Sequence, residues 1–185
     1  MLASNITALR AALFANPTAA NFAHALDTPG LTAYLNTVDA TYFVWRSSTP
    51  ASDVNDAIVW ASLTPADTAD STATFTNRAL VCQAKQINLQ ILLQGRDSVT
   101  SSKPNVRNGL QDALTAIPSG AGGATVGGGW AAVKLAMTRT ATLAEKMVAT
   151  GAGTTTAPST MSYEGTLSEH DVADLVFKDD GTLWG

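Results

Sequence analysis

The chain has 185 residues, a formal net charge of −4 and a pI near 4.9, and only 14% of its residues are charged. An ordinary soluble domain is roughly 25% charged, so we expect partner subunits to cover much of this weakly charged surface. The net negative charge argues against a protein that reads DNA sequence, because such proteins cluster Lys and Arg against the phosphates.

The N-terminal third is predicted to hold short helices and one strand. Apolar residues recur at helical spacing over residues 6–13 and again through residues 22–26, and the Thr-Pro-Gly at 28–30 is expected to end the second helix. Residues 41–46, TYFVWR, are rich in aromatic and β-branched side chains and predict a strand. A further helix is predicted over residues 50–62, because a proline fits its first turn.

The middle third is predicted to supply much of the core. Residues 63–75 have turn chemistry and predict a surface loop. A long helix over residues 76–94 has apolar side chains around much of its circumference, so we expect it to be buried on more than one side. Its main stripe consists of Leu80, Ala84, Ile87 and Ile91. Another helix is predicted over residues 104–117, where Pro104 fits the first turn and Leu110 lies on the apolar face.

The C-terminal third begins with a linker at residues 119–129, which is predicted to be flexible because it is rich in glycine. The longest continuous helical pattern of apolar residues follows it. The longest uncharged run, residues 113–133, contains six glycines and a proline, too many helix breakers for a membrane span. A helix over residues 130–150 is predicted because apolar residues alternate in steps of three and four. These residues are Trp130, Val133, Met137, Ala141, Ala144 and Val148. A short strand at 161–164 and a helix capped by Ser168 and Asp171 precede a tail at 178–185.

No set of residues predicts catalysis or cofactor binding. His170 and Asp174 are one helical turn apart and could share a metal, but two ligands do not make a site, and a solvated helix start explains them. His24 is interpreted as a surface or interface residue. Cys82, the single cysteine, excludes an intrachain disulfide and lies among apolar residues, as an inert thiol would. The run GAGGATVGGGW lacks the Lys of a phosphate-binding loop. We predict a protein that is not an enzyme and needs no metal or cofactor.

Four segments together resemble a family of small virion proteins from the head-to-tail, or neck, region of tailed bacteriophages. They are FVWRSSTPASDVNDAIVW, KPNVRNGLQDAL, GWAAVKLAMTRTATLAEKMVATG and MSYEGTLSEHDVADL. Among neck proteins, stoppers and tail-tube proteins are largely β, terminators mix sheet and helix, and adaptors are helical bundles with extended arms. We predict a mainly α chain: a bundle of about five to seven helices with a minor extended or β element. Residues 1–177 would form a single domain and residues 178–185 an extended C-terminal arm.

A helix-rich chain of this kind is most similar to the adaptor. The resemblance implies a ring, commonly of twelve copies, that lies beneath the portal protein, joins it to a stopper or tail protein, and surrounds the DNA channel without reading its sequence. Such a protein would be located in the virion neck, after assembly in the host cytoplasm, with no membrane partner. The alternatives are a tail terminator or another minor virion protein, or a small helical protein-binding module.

Contacts with neighbouring copies or partners are expected from the second face of the 130–150 helix and from the tail, where Trp184 would anchor the arm. Ring closure requires one face of each copy to meet a different face of the next. The predicted interface residues are Trp130, Leu135, Arg139, Leu143, Lys146, Phe177, Leu183 and Trp184.

Overall fold

The computed structural model describes residues 3–64, 72–119, 124–178 and 180–184. The chain divides into two compact units: unit 1 comprises Met1–Trp45 and Arg139–Gly185, and unit 2 comprises Arg46–Thr138. The described residues form nine α-helices, one 3-10 helix and six short strands. In chain order these are α1 (Ala3–Ala15), α2 (Pro17–His24), α3 (Thr28–Asn36), β1 (Val38–Trp45), β2 (Thr49–Pro50), α4 (Ala51–Ala57), the 3-10 helix (Trp60–Leu63), α5 (Thr72–Leu93), β3 (Ser98–Val99), α6 (Pro104–Leu114), β4 (Ile117–Pro118), β5 (Thr125–Val126), α7 (Trp130–Ala136), β6 (Thr138–Thr142), α8 (Leu143–Val148) and α9 (Glu169–Val176).

Unit 1 packs α1, α2, α3, α8 and α9 around one core, with β1 paired to β6. Asp27 caps α3, because its Oδ1 accepts a hydrogen bond from the Gly30 N–H at 2.9 Å. The Thr-Pro-Gly at 28–30 therefore begins α3, since proline fits the first turn of a helix. The predicted end of the second helix before this tripeptide is confirmed, because α2 ends at His24. The core residues are Leu9, Leu13, Ala19, Ala23, Leu31, Leu35, Ala144, Leu167, Val172, Leu175 and Val176.

Unit 2 joins its helices with two small antiparallel sheets. Thr49 lies opposite Val99 in the β2–β3 pair, and Ile117 lies opposite Val126 in the β4–β5 pair. The β4–β5 hairpin replaces part of the predicted linker at 119–129; residues 120–123 lie outside the described residues. The buried apolar residues of unit 2 include Val54, Ile58, Leu63, Cys82, Leu89, Val99, Leu110, Ala113, Leu114, Ile117, Val133 and Met137.

The helix predicted over residues 130–150 is three elements. Met137 caps the C-terminus of α7, the threonine-rich β6 follows, and Thr142 caps the start of α8. β-Branched threonines favour a strand over a helix, and Thr142 gives a new helix its N-cap. The residues that suggested one helix, such as Met137 and Ala141, are buried as expected. Their spacing fits both arrangements, and the threonines decide between them.

Three other predictions are corrected in part. The helix predicted over 50–62 is α4 followed by the 3-10 helix, and the 63–75 loop is shorter because α5 begins at Thr72; residues 65–71 lie outside the described residues. Residues 161–164 do not form the predicted strand. The extended pairing lies just before them, in isolated bridges between Thr150 and Thr160 and between Val44 and Ser159. The strand predicted at 41–46 is confirmed as β1.

The C-terminal tail turns back on its own unit, which differs from the predicted extended arm. Phe177 and Leu183 form a β-bridge, and the Trp184 N–H donates to the Val176 carbonyl at 2.9 Å. The Lys178 N–H donates to the Thr182 carbonyl at 2.7 Å and closes the turn. These backbone hydrogen bonds hold the tail in place, although its sequence has no periodic pattern of apolar residues.

The coarse prediction of a helix-rich chain with a minor β element is confirmed, although short sheets join the helices and the fold is not a pure bundle. A single domain over residues 1–177 stays a prediction. None of the helices in the described ranges combines the length and the apolar content that crossing a bilayer requires.

Candidate subunit interface

Helix α5 presents an apolar ridge to solvent. Its inward side carries Cys82 and Leu89, which are buried, and at about 3.6 residues per turn the predicted stripe falls on the opposite side. In that stripe Leu80, Ile87 and Ile91 are 57%, 54% and 67% exposed. The prediction that the stripe lies in the core is therefore wrong. The α5 ridge, as we name it here, consists of Leu80, Ala84, Ile87 and Ile91.

Hydrogen bonds on the inward side of α5 fix its rotation. The Gln86 Nε2 donates to the Leu63 carbonyl at 3.1 Å, and the Lys85 Nζ donates to the Thr115 carbonyl at 3.0 Å. Turning the helix to bury its ridge would break these bonds and expose Leu89 instead. The exposed ridge is thus a property of the folded chain.

From Ala79 onward, the outward half of α5 is uncharged, and the apolar ridge lies among exposed Gln and Asn side chains. From Ala79 to Gln94 the only formally charged side chain is Lys85, and its ammonium group is held inward. The ridge and the adjacent Val81 expose roughly 400 Å² of apolar surface, which is within the range of the largest patches on monomers and is often functional. A neutral apolar face of this size is suited to contact with another protein.

A groove of about 430 Å³ lies between α4, Trp60 and the C-terminal half of α5. Trp60 is 42% exposed, and its indole Nε1 donates to the Asn55 carbonyl at 3.1 Å, which fixes the ring in place. The groove is lined by Ala51, Ser52, Asn55, Trp60, Leu89, Gln90, Leu93 and Gln94. None of these side chains is charged, so the groove continues the neutral character of the outward half of α5.

Two of the predicted interface residues lie on α7. Leu135 is 60% exposed and Trp130 is half-buried at the start of the helix. Leu135 is open to solvent, and its contact with a neighbouring copy stays a prediction.

Arg139, another predicted interface residue, is engaged inside unit 1. Its Nη2 lies 2.6 Å from Oε1 of Glu145, and its Nη1 lies 2.8 Å from Oε2, so the pair is bidentate. Nη2 also lies 3.1 Å from the Glu164 carboxylate. The Glu145 partner raises the pKa of the Arg139 guanidinium. This arginine holds its own unit together, and an external role would have to compete with that pair.

Glu145 has a full set of hydrogen-bond donors although its side chain is only 1% exposed. The N–H groups of Thr142 and Gly165 each donate to its carboxylate at 2.9 Å, in addition to Arg139. Burial alone would raise the pKa of Glu145, but the bonds from Arg139, Gly165 and Thr142 outweigh burial and lower it. Glu145 is therefore a buried, ionised group that organises the start of α8.

Lys146 and Leu143, also predicted at the interface, lie in the same part of unit 1. The Lys146 Nζ lies 2.6 Å from Oδ2 of Asp39 and 5.1 Å from the centroid of the Tyr42 ring. The hydrogen bonds from Lys146 and Thr41 hold the pKa of Asp39 well below its usual range. Leu143 is half-buried.

The tail residues Phe177, Leu183 and Trp184 lie together in the C-terminal turn. The Trp184 Nε1 donates to the Phe177 carbonyl at 2.7 Å, and the Arg10 guanidinium carbon lies 3.8 Å from the Trp184 ring centroid. Trp184 is still half-exposed. The predicted anchor is thus held on its own chain, with part of its ring open to solvent.

The residues considered for chemistry are dispersed. His170 Nε2 lies 3.8 Å from Oδ2 of Asp174 on an exposed helix start, whereas His24 is exposed beside Phe14 and Cys82 is buried. Within the part of the chain that the structure describes, no group of three or more His, Cys, Asp or Glu side chains is placed to hold a metal ion.

No protein-family model, curated protein or solved structure matches this chain. The relation to phage neck proteins therefore stays a prediction from the sequence segments.

The α5 ridge is the surface that sequence reasoning misplaced. Large apolar residues lie on two opposite sides of this helix, with Leu89 on the buried side and Ile87 and Ile91 on the ridge, and a helix with two apolar sides needs cover on both. The sequence therefore indicates that both sides of α5 are covered, but it does not show whether the ridge is covered by the same chain or by another.

Proposed function

We propose that this chain is a structural protein of a tailed-phage virion and assembles as a ring of identical subunits in the head-to-tail connector. In this proposal it is the adaptor beneath the portal, it contacts a stopper or tail protein on its other side, and DNA passes through the ring. Its role is mechanical and involves no catalytic turnover. The location in the neck follows from the sequence resemblance.

The observation that carries the proposal is the exposed α5 ridge. In a single copy, Leu80, Ile87 and Ile91 are exposed to water. Hydrogen bonds on the opposite side of α5 prevent the helix from turning to bury them. Covering such a face by another copy removes apolar surface from water, which is the main driving force for association. The low charge of the whole chain fits a protein that works within an assembly.

The assembly test uses native mass spectrometry and negative-stain imaging of the purified chain. We expect closed rings for the wild type and dissociated subunits for Ile87→Glu, because a charge would be buried in an apolar contact. Gln111→Glu is the matched control: it adds the same charge at an exposed position on α6 and should leave the rings intact. A wild-type chain that remains monomeric at high concentration would refute the ring and favour the protein-binding module.

The location is tested separately. An antibody against the chain should label the neck of phage particles whose genome encodes it. Label on the tail tip or on no particle would refute the connector role even if rings form.

A further inference from the structure

We infer that the contact between neighbouring copies pairs the α5 ridge of one copy with the outer face of α7 in the next; this inference rests on the proposed function. The occupant of the ridge is thus a second copy of this chain. The outer face of α7 consists of Ala131, Ala132 and Leu135, all exposed.

The outer face of α7 has the chemistry of a partner for an apolar ridge. Leu135 offers one large apolar side chain, and the two alanines allow close approach of the helix backbone. The opposite side of α7 carries the buried Val133. Gly129 begins the helix with φ at +94°, and a side chain there would collide with the Ala57 carbonyl. α7 is therefore seated closely on α4 and presents a fixed outer face.

The two faces belong to different helices of unit 2, and a ring requires contact between two different surfaces of the subunit. α5 packs on α6 and the 3-10 helix, whereas α7 packs mainly on α4. A contact between unlike faces is head-to-tail, so every copy has one face free for each neighbour, and the series can close into a ring. Two identical ridges facing each other would instead close a pair and stop.

On the α5 side the available apolar area matches what a stable interface needs, whereas Leu135 and the two alanines of α7 offer a smaller area that covers part of the ridge. The α5 ridge with Val81 and the exposed part of Trp60 provides roughly 500 Å² of apolar surface, and a standard interface buries about 800 Å² per partner, of which a little over half is apolar.

The charges also permit the contact. From Ala79 to Leu93, the part of α5 whose side chains are described, the outward side has no free formal charge, since Lys85 is held inward. Covering the ridge therefore buries no unpaired charge, and neighbouring ridges do not repel a second copy.

A charge exchange tests the pairing. Ile87→Lys and Leu135→Glu should each raise the concentration needed for half-assembly by about tenfold or more, equivalent to the loss of a hot-spot side chain. The variant with both substitutions should return to within about threefold of the wild type, because each Lys then faces a Glu of the next copy. The control combines Ile87→Lys with Leu26→Glu, an equally exposed leucine of unit 1, and should not be rescued. Thermal melts should show all variants folded, since the replaced side chains are exposed.

Disulfide capture supplies the second measurement. Ile87→Cys protein mixed with Leu135→Cys protein should crosslink into mixed dimers, while each alone should crosslink far less; the natural Cys82 is buried and gives little background. If wild-type rings form but the double variant is not rescued, or Ile87→Cys crosslinks mainly with itself, this contact is wrong and the proposed function stands. A wild type that never assembles would overturn both.

Discussion

Replacing Glu145 with Gln should destabilise the chain substantially at neutral pH. Breaking a buried ion pair by removing one partner costs about 3–5 kcal/mol. Arg139 is 26% exposed and keeps its contact with Glu164, so part of its charge remains compensated. The expected loss in the free energy of unfolding is therefore about 2–4 kcal/mol. Urea unfolding followed by far-UV circular dichroism at pH 7 measures it.

The pH dependence of the same variant gives an independent check. The pKa of Glu145 is lowered from its ordinary value of 4.5, so its ionised form stabilises the folded state above that pH. The contribution declines as the pH falls below 4.5 and is lost once the pH passes below the folded-state pKa. The difference between wild type and Glu145→Gln should thus be constant from about pH 7 to pH 5 and shrink in acid.

Glu164→Gln is the matched control, since it removes the more exposed carboxylate from the same Arg139 and should cost less than about 1 kcal/mol. If Glu145→Gln destabilised the chain by no more than this control, or if its effect did not shrink in acid, the reasoning about the buried cluster would be wrong.

Two pairs of substitutions and one truncation test the fold. Leu110→Ala should cost about 2–5 kcal/mol because Leu110 is fully buried, whereas Ile87→Ala should cost less than about 1 kcal/mol in the monomer; equal changes in unfolding free energy would contradict this. Gly153→Ala should lower the free energy of unfolding by about 2 kcal/mol or more, because a neighbouring tyrosine ring occupies the space that the new methyl group needs. Gly95→Ala is the control: Gly95 has the same φ of +68° but faces open space, so this substitution should cost less. Truncation after Phe177 should leave the chain folded but less stable by about 1–2 kcal/mol, and an unchanged melting temperature would show that the C-terminal turn contributes nothing.

One local signal in the sequence, the start of α9, is confirmed. Ser168 and Asp171 form the predicted capping box, with the Asp171 N–H donating to Ser168 Oγ at 3.1 Å and the Ser168 N–H donating to Asp171 Oδ2 at 2.9 Å. Such motifs are predictable because every interacting atom lies within one helical turn. The buried side of α9 followed directly from that start.

Longer patterns were ambiguous for a physical reason. Apolar residues at steps of three and four also fit a helix, strand and helix in series, and only the threonines around Arg139 distinguish the two. The partners of Glu145 could not be predicted, because Gly165 is brought to it by tertiary folding. Likewise, the periodicity of Ile87 and Ile91 indicates that this face of α5 is buried in a contact, but it does not identify the molecule that makes the contact.

The bond between Gly165 and Glu145 has a consequence for the motions of unit 1. Gly165 is exposed, and the amide hydrogen of an exposed loop glycine ordinarily exchanges quickly with solvent. Here the Gly165 N–H donates to the buried Glu145 carboxylate, with 2.9 Å between nitrogen and oxygen, and the same carboxylate accepts from the Thr142 N–H that caps α8. Exchange requires this hydrogen bond to open, so the Gly165 amide should exchange more slowly than other exposed loop amides of unit 1. Opening at Gly165 would then be coupled to opening at the start of α8, because both depend on the Glu145 carboxylate.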